Sequence, residues 1–277
     1  MTFTLTPSAN IRRAYNGYLA VVHLALAVGS IFIDIEPITL ETPIPGYRDD
    51  CLGDRFFCTV SRSSLLFDYV DVGLLACAFS GVTAMAHLFY YTNYEAYQRL
   101  VDTRQVWRWR ALEYALSVPP MLITMCSLTG TLYDISLLQI GTLGATTQFF
   151  GYVADVLASM DNALPAIYTH LLCYPVILAA LAPMFISISQ LQYTDAPSFV
   201  PLIIVTQIAF FMSFGFVQGY VLKRLQKDIV DGTQALTYAR ADTIYLFLSL
   251  ACKATLIGSL VYTASRMDEF IEGSAAR

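Results

Sequence analysis

Apolar residues run along this chain in long stretches that do not alternate with polar ones. Charge-poor runs cover about residues 15–34, 72–91, 111–133, 137–158, 166–189, 199–222 and 243–264. Each is near the ~20 residues that a helix needs to cross a ~30 Å hydrocarbon core. Backbone polar groups at that depth must pair internally, which leaves helices or a closed barrel. Barrel strands alternate over ~10 residues with polar inward positions, and stretches such as 74–79 and 208–212 do not. The pattern predicts an all-α integral membrane protein of seven transmembrane helices. The opening segment does not read as a cleavable signal peptide, because its apolar stretch is too long and no small-residue cleavage site follows.

Composition agrees with that pattern. Of the 277 residues, 56% are hydrophobic and 13% charged, with a mean hydropathy of +0.57. Soluble domains run near ~45–50% apolar and ~25% charged, and disorder needs low hydrophobicity, so both classes are excluded. The net charge of −5 says less than where each sign sits. Arg12, Arg13, Arg99, Arg104, Arg108, Arg110, Lys223, Arg224, Lys227 and Arg240 fall on one side of the predicted spans. Arg48, Arg55, Arg62, Arg266 and Arg277 fall on the other. Basic residues favour the cytoplasm, so the N-terminus (1–14) is expected inside and the tail (265–277) outside, in a multi-pass protein of the cell membrane. Short connections elsewhere imply one domain over 1–277.

The connection 35–71 is the long one, and it lies on the outer side. It carries Pro37, Pro43, Pro45 and Gly46, the acids Glu36, Glu41, Asp49, Asp50 and Asp54, and two cysteines. Cys51 and Cys58, seven positions apart, either close a small disulfide ring or remain free thiols. Cys77, Cys126, Cys173 and Cys252 lie inside spans and are expected to pack as small apolar side chains.

Lys253 stands near the middle of the last apolar run, flanked by Leu248, Leu250, Ala251, Ala254 and Leu256. A charge at that depth costs at least ~2.5–3.5 kcal/mol, so it demands a partner or a purpose. Snorkelling serves lysines near helix ends, and this one is about ten residues from either. A desolvated amine is a carbonyl nucleophile able to form a Schiff base; the alternative is one half of a structural ion pair. Glu113 is the matching acid, with Ser117 one turn on along the same helix face. It is either that partner or an interfacial group paired with Arg110 three positions before it. His23 and His87 fall in the cytoplasmic halves of the first two spans, as a proton relay or as hydrogen-bonded packing. His170 is expected at the interface, and Trp107 and Trp109 could mark an aromatic belt.

Taken in order, these features resemble the heliorhodopsins. The residues that carry the likeness are Lys253 in Ser249-Leu250-Ala251-Cys252-Lys253, Arg110-Ala111-Leu112-Glu113-Tyr114, His23, and His87 in Ala84-Met85-Ala86-His87. The inward N-terminus, which separates that family from ordinary microbial rhodopsins, follows independently from the charge distribution. The resemblance implies that Lys253 holds all-trans retinal as a protonated Schiff base, with Glu113 as its counterion. Ser249 stands where pumping relatives carry a second carboxylate, which leaves Glu113 as the close anion. Ser117 and Thr83 would be hydrogen-bond partners around the Schiff base. His23 and His87 would form a proton-accepting polar cluster on its cytoplasmic side. Tyr114, Met121, Phe210, Phe211 and Phe214 would line the polyene pocket. The sixth span has no Trp, so the indole that pumps place against the retinal ring is missing. The family's first loop forms a short β-hairpin that assists dimerisation.

The function so implied is a light-absorbing photoreceptor with a slow photocycle, which signals and does not pump. Helix seven is expected to offer no carboxylate, and Asp155 is the extra acid in a helix. The second reading is a light-gated passive proton or ion conductance in the same scaffold. More remote are a transporter using Lys253 and Glu113 as a structural pair, and a zinc hydrolase built from the three histidines. The hydrolase wants three ligands converging at one depth, and no His-x-x-x-His pair exists here. No enzymatic activity and no metal are expected. The expected partners are the lipid bilayer, a second copy of the chain and an unknown signalling protein, with no nucleic acid.

Overall fold

The computed structural model describes residues 9–33, 38–39, 41–46, 58–63, 69–102, 106–129, 133–160, 162–190, 199–231 and 234–275. Its helices are α1 (Ala9–Ser30), α2 (Val72–Thr92), α3 (Tyr94–Asp102), α4 (Val106–Leu128), α5 (Asp134–Ser159), α6 (Ala163–Leu171), α7 (Cys173–Gln190), α8 (Phe199–Asp231) and α9 (Gln234–Ala275). Four short strands, β1 (Ile38–Thr39), β2 (Glu41–Gly46), β3 (Cys58–Ser63) and β4 (Tyr69–Val70), lie between α1 and α2.

Among the described residues, five stretches are long and apolar enough to cross a bilayer: Val72–Thr92, Trp109–Leu128, Ala163–Ile186, Leu202–Arg224 and Thr237–Ser265. They coincide with five of the seven runs expected from sequence. The other two runs form α1 and α5, which are helical but more polar. Asn10, Arg12, Arg13, Asn16 and His23 dilute α1, and Asp134, Gln139, Gln148 and Asp155 dilute α5. The fifth span comprises α6 and α7, joined at Leu172 in right-handed helical geometry. Pro175 lacks the N–H that would continue the ladder there, which divides one rod into two segments. Helix α9 extends well past the expected limit of the last run, through residues assigned by sequence to a tail. At 1.5 Å per residue it is about 63 Å long, roughly twice the hydrocarbon thickness.

Local chemistry sets several element ends. Asp71 caps α2, its carboxylate accepting from the Leu74 N–H at 2.8 Å and satisfying one orphan donor of the first turn. Strands β2 and β3 pair antiparallel from Glu41 opposite Ser63 to Gly46 opposite Cys58, the hairpin expected in the long connection. Strands β1 and β4 extend the ribbon toward the helices, with Ile38 opposite Val70. The Cys51–Cys58 pairing falls outside the described residues.

Two glycines let the helices approach closely. A Cβ on Gly73 would stand 2.7 Å from the Ser30 carbonyl oxygen, so α2 passes directly against the end of α1. A Cβ on Gly144 would stand 2.6 Å from a Leu122 methyl, which brings α5 onto α4. Small residues at such crossings are what van der Waals packing in a membrane requires. Many large apolar side chains, among them Val21, Leu74, Met85, Leu116, Val205 and Phe216, remain exposed on the bundle's exterior, as a lipid-facing surface should.

Inside, the apolar core divides in two. One cluster gathers Phe79, Leu122, Met125, Ile140, Met184 and Leu256; the other gathers Tyr90, Tyr97, Ala154, Leu222 and Tyr245. Along α2, α4 and α9 the residues between the clusters are polar and buried: Ser80, Thr83 and His87; Arg110, Glu113 and Ser117; Ser249 and Lys253. This layer holds the expected site.

Candidate functional site

Lys253 is 3% exposed, and its ammonium donates to the Ser249 hydroxyl at 2.9 Å. The spacing of four places both on one face of α9. The amine also lies 5.6 Å from the centroid of the Tyr114 ring, where the ring face offsets part of its desolvation. Lys253 and Ser249 open onto a cavity that crosses the bundle to α5, α7 and α8. Tyr114, Met121, Phe211 and Phe214 line it as well, so four of the five pocket residues expected from sequence share one space with the lysine. Phe210 packs against the apolar core instead. Tyr114 meets Phe214 edge-on at 5.5 Å, and Phe214 stacks on Tyr245 at 5.6 Å, which fixes the aromatic wall.

Glu113 is 4% exposed, and among the described residues neither carboxylate oxygen accepts a hydrogen bond. Its ion-pair contact is Arg110 Nη1 at 3.7 Å, one turn earlier on α4, and the charge of Lys253 also reaches it. Arg110, counted from sequence among the loop cations, is in fact buried. Its Nε donates to Asp242 Oδ1 at 2.6 Å across the interface with α9. Tyr97 of α3 donates to the other Asp242 oxygen, and Arg110 Nη2 donates to the Tyr97 hydroxyl at 3.3 Å. Asp242 therefore has a full complement of partners and Glu113 does not. A buried carboxylate left without hydrogen bonds is costly unless a cation compensates it.

His23 and His87 are both fully buried and stack with ring centroids 5.5 Å apart and planes 11° from parallel. His87 Nδ1 shares a hydrogen bond of 3.0 Å with the Asn16 side-chain oxygen, which fixes the proton on that nitrogen. Among the described residues, His87 Nε2 and both nitrogens of His23 have no hydrogen-bond partner. The pair thus keeps ring nitrogens without side-chain or backbone partners in the buried layer.

The remaining expected residues are dispersed around this centre. Thr83 is buried, and its hydroxyl proton goes to the Phe79 carbonyl at 3.1 Å. Ser117 is buried with an unpartnered hydroxyl. His170, expected at the interface, is instead buried and lines the cavity, with Nε2 3.4 Å from the Tyr174 hydroxyl. Asp155 accepts from Gln218 Nε2 at 3.2 Å in the same wall. Of the span cysteines, Cys126, Cys173 and Cys252 are buried and Cys77 is half-buried, all four as free thiols. Among the described residues, no group of three His, Cys, Asp or Glu side chains is arranged to hold a metal ion.

Asp242, Tyr97 and Asn16 escaped the sequence reading. Asp242 lies one position before the last apolar run, where a charge attracts no notice, and Arg110 is 132 positions away in sequence. The residues present fit a retinal: a buried amine opening onto an aromatic-walled cavity, with the buried Glu113 carboxylate in the same polar layer. A family model described as Heliorhodopsin matches residues 12–265 of the chain. No curated protein matches it.

Proposed function

This chain belongs to the heliorhodopsin family of retinal-binding photoreceptors, and from that premise we propose that Lys253 carries all-trans retinal as a protonated Schiff base with Glu113 as its counterion. The observation that supports this assignment is a buried Glu113 carboxylate, without a hydrogen bond among the described residues and within reach of the Lys253 charge. Arg110, its 3.7 Å ion-pair contact, makes its closer pair with Asp242. Retinal supplies visible absorption and a light-driven change of shape. The protein's residues do the rest. Glu113 offsets the buried cation and so sets its proton affinity and colour. Ser249 holds the Lys253 nitrogen by its hydroxyl. Tyr114, Met121, Phe211 and Phe214 exclude water and shape the slot. Ser117 and Thr83 supply hydroxyls near the counterion. His23 and His87 take up a proton on Nε2 or on a His23 nitrogen, the positions that lack partners.

Helices α1 and α5 complete seven crossings, with the N-terminus in the cytoplasm, as the distribution of basic residues favours. The output is signalling through a slow cycle, with a second copy of the chain as the dimer partner. Active pumping needs a donor and an acceptor on opposite sides of the lysine. Helix α9, expected to offer no carboxylate, carries Asp242, which with Glu113 and Asp155 lies along the cytoplasmic stretch of its helix. Asp134, buried at the outer end of α5, accepts from the Ile135 N–H at 2.7 Å and does not line the cavity. Recording external pH from illuminated cells tests this. No sustained change is expected, and one that a protonophore abolishes would establish pumping. Photocurrents under voltage clamp that reverse with the proton gradient would instead establish a passive conductance.

A further inference from the structure

The peptide bond that leads into Lys253 is held from the neighbouring helix. Gln207 of α8 is fully buried, and its Nε2 donates to the Cys252 carbonyl oxygen at 3.2 Å. In return the Cys252 thiol donates to Gln207 Oε1 at 3.1 Å. Both ends of one carboxamide are thus spent on one residue, the residue before the lysine. A carboxamide in a membrane interior is expensive unless its oxygen and its NH2 both find partners, and here Cys252 alone supplies a partner to each.

We propose that Gln207 is a positioning residue for Lys253, fixing the rotation of α9 about its own axis. This rests on the assignment of Lys253 as the retinal-bearing residue. The lever is long. With the amine about 6 Å from the helix axis, a rotation of about 10° moves it by roughly 1 Å. A shift of that size changes its distance to Glu113 and its fit to the cavity, and misplacements near 1 Å carry large consequences for reactive groups. The Cys252 thiol, buried and beside the lysine, is the second half of the clamp and not a redox group.

The test uses the full chain regenerated with all-trans retinal, and reads the absorption maximum and the dark rate at which hydroxylamine bleaches the pigment. Gln207→Leu removes both bonds. It shifts the band and accelerates bleaching roughly tenfold, the worth of about one to two hydrogen bonds. Cys252→Ala removes the thiol bond alone and gives a smaller change in the same direction. Cys252→Ser restores a donor and returns both readouts toward wild type. A clamp that served only to hold the helices together would lower thermal stability and leave both readouts in place. That result in Gln207→Leu overturns the proposal. Where Gln207→Leu does not fold, the 252 pair decides, and an alanine variant identical to the serine variant and to wild type overturns it. A wild type that takes up no retinal overturns the chromophore assignment, and the clamp with it.

Discussion

Arg110 Nε donates to Asp242 Oδ1 across 2.6 Å, whereas the Glu113 carboxylate stands 3.7 Å from Arg110 Nη1. The guanidinium therefore spends its best-directed donor on α9 and holds the carboxylate of its own helix only by the longer ion-pair contact. Two buried cations, Arg110 and Lys253, and two buried carboxylates, Glu113 and Asp242, share the polar layer. Arg110 lies closer to Asp242 than to Glu113, and the proposed counterion assignment gives Glu113 to Lys253.

Removing Asp242 should expose this division. Asp242→Asn leaves Arg110 uncompensated in a buried setting, at a cost of about 3–5 kcal/mol. The freed guanidinium turns to Glu113 and weakens its hold on the Lys253 charge, so the visible band moves to the red. Thermal unfolding and an absorption spectrum of the one variant check both effects. Adding Arg110→Gln should recover much of the stability, since it removes the stranded charge.

Glu113→Gln removes the countercharge without changing shape. The pigment either moves its band to the red, where the Lys253 linkage keeps its proton, or bleaches to the near-ultraviolet, where it loses it. A variant spectrum superimposable on wild type would place the counterion elsewhere.

The proposed proton-accepting role is shared by two stacked imidazoles, so single losses should be tolerated. His23→Phe and His87→Phe each leave one ring with a free nitrogen, and each should still form a near-ultraviolet transient after a flash. The double variant should lose that transient, or form it many times more slowly, while its dark spectrum stays close to wild type. Flash photolysis at near-ultraviolet wavelengths follows all three.

Packing makes a separate demand at the α1–α2 crossing. Gly73→Ala places a methyl 2.7 Å from a backbone oxygen that cannot rotate away. The expected loss is about 1–3 kcal/mol, read as a lower unfolding temperature, with the absorption maximum unchanged.

Much of this arrangement is legible in the sequence because a bilayer makes the rules simple. Runs of apolar residues mark the spans, and a lone charge inside one, such as Lys253, marks itself. The readings weaken where a helix carries its polar groups inward. Asn16 and His23 make α1 look less like a span, yet both face the interior of the bundle, with α2 at their side. Arg110 is indistinguishable from a loop cation until Asp242 and Tyr97 are seen folded against it. Gln207 is one polar residue in an apolar run, and only the position of Cys252 on the facing helix gives it a task. Pairings between distant helices leave no periodic trace, which is why spans and exceptions were readable and partners were not.

The account turns on Lys253, and the most direct measurement is colour. Expressed with all-trans retinal, the wild-type protein should absorb in the visible, and Lys253→Ala should lose that band while keeping the helical content and unfolding temperature of a folded protein. A colourless wild type in the presence of retinal, or a Lys253→Ala variant that keeps its visible band, would contradict it.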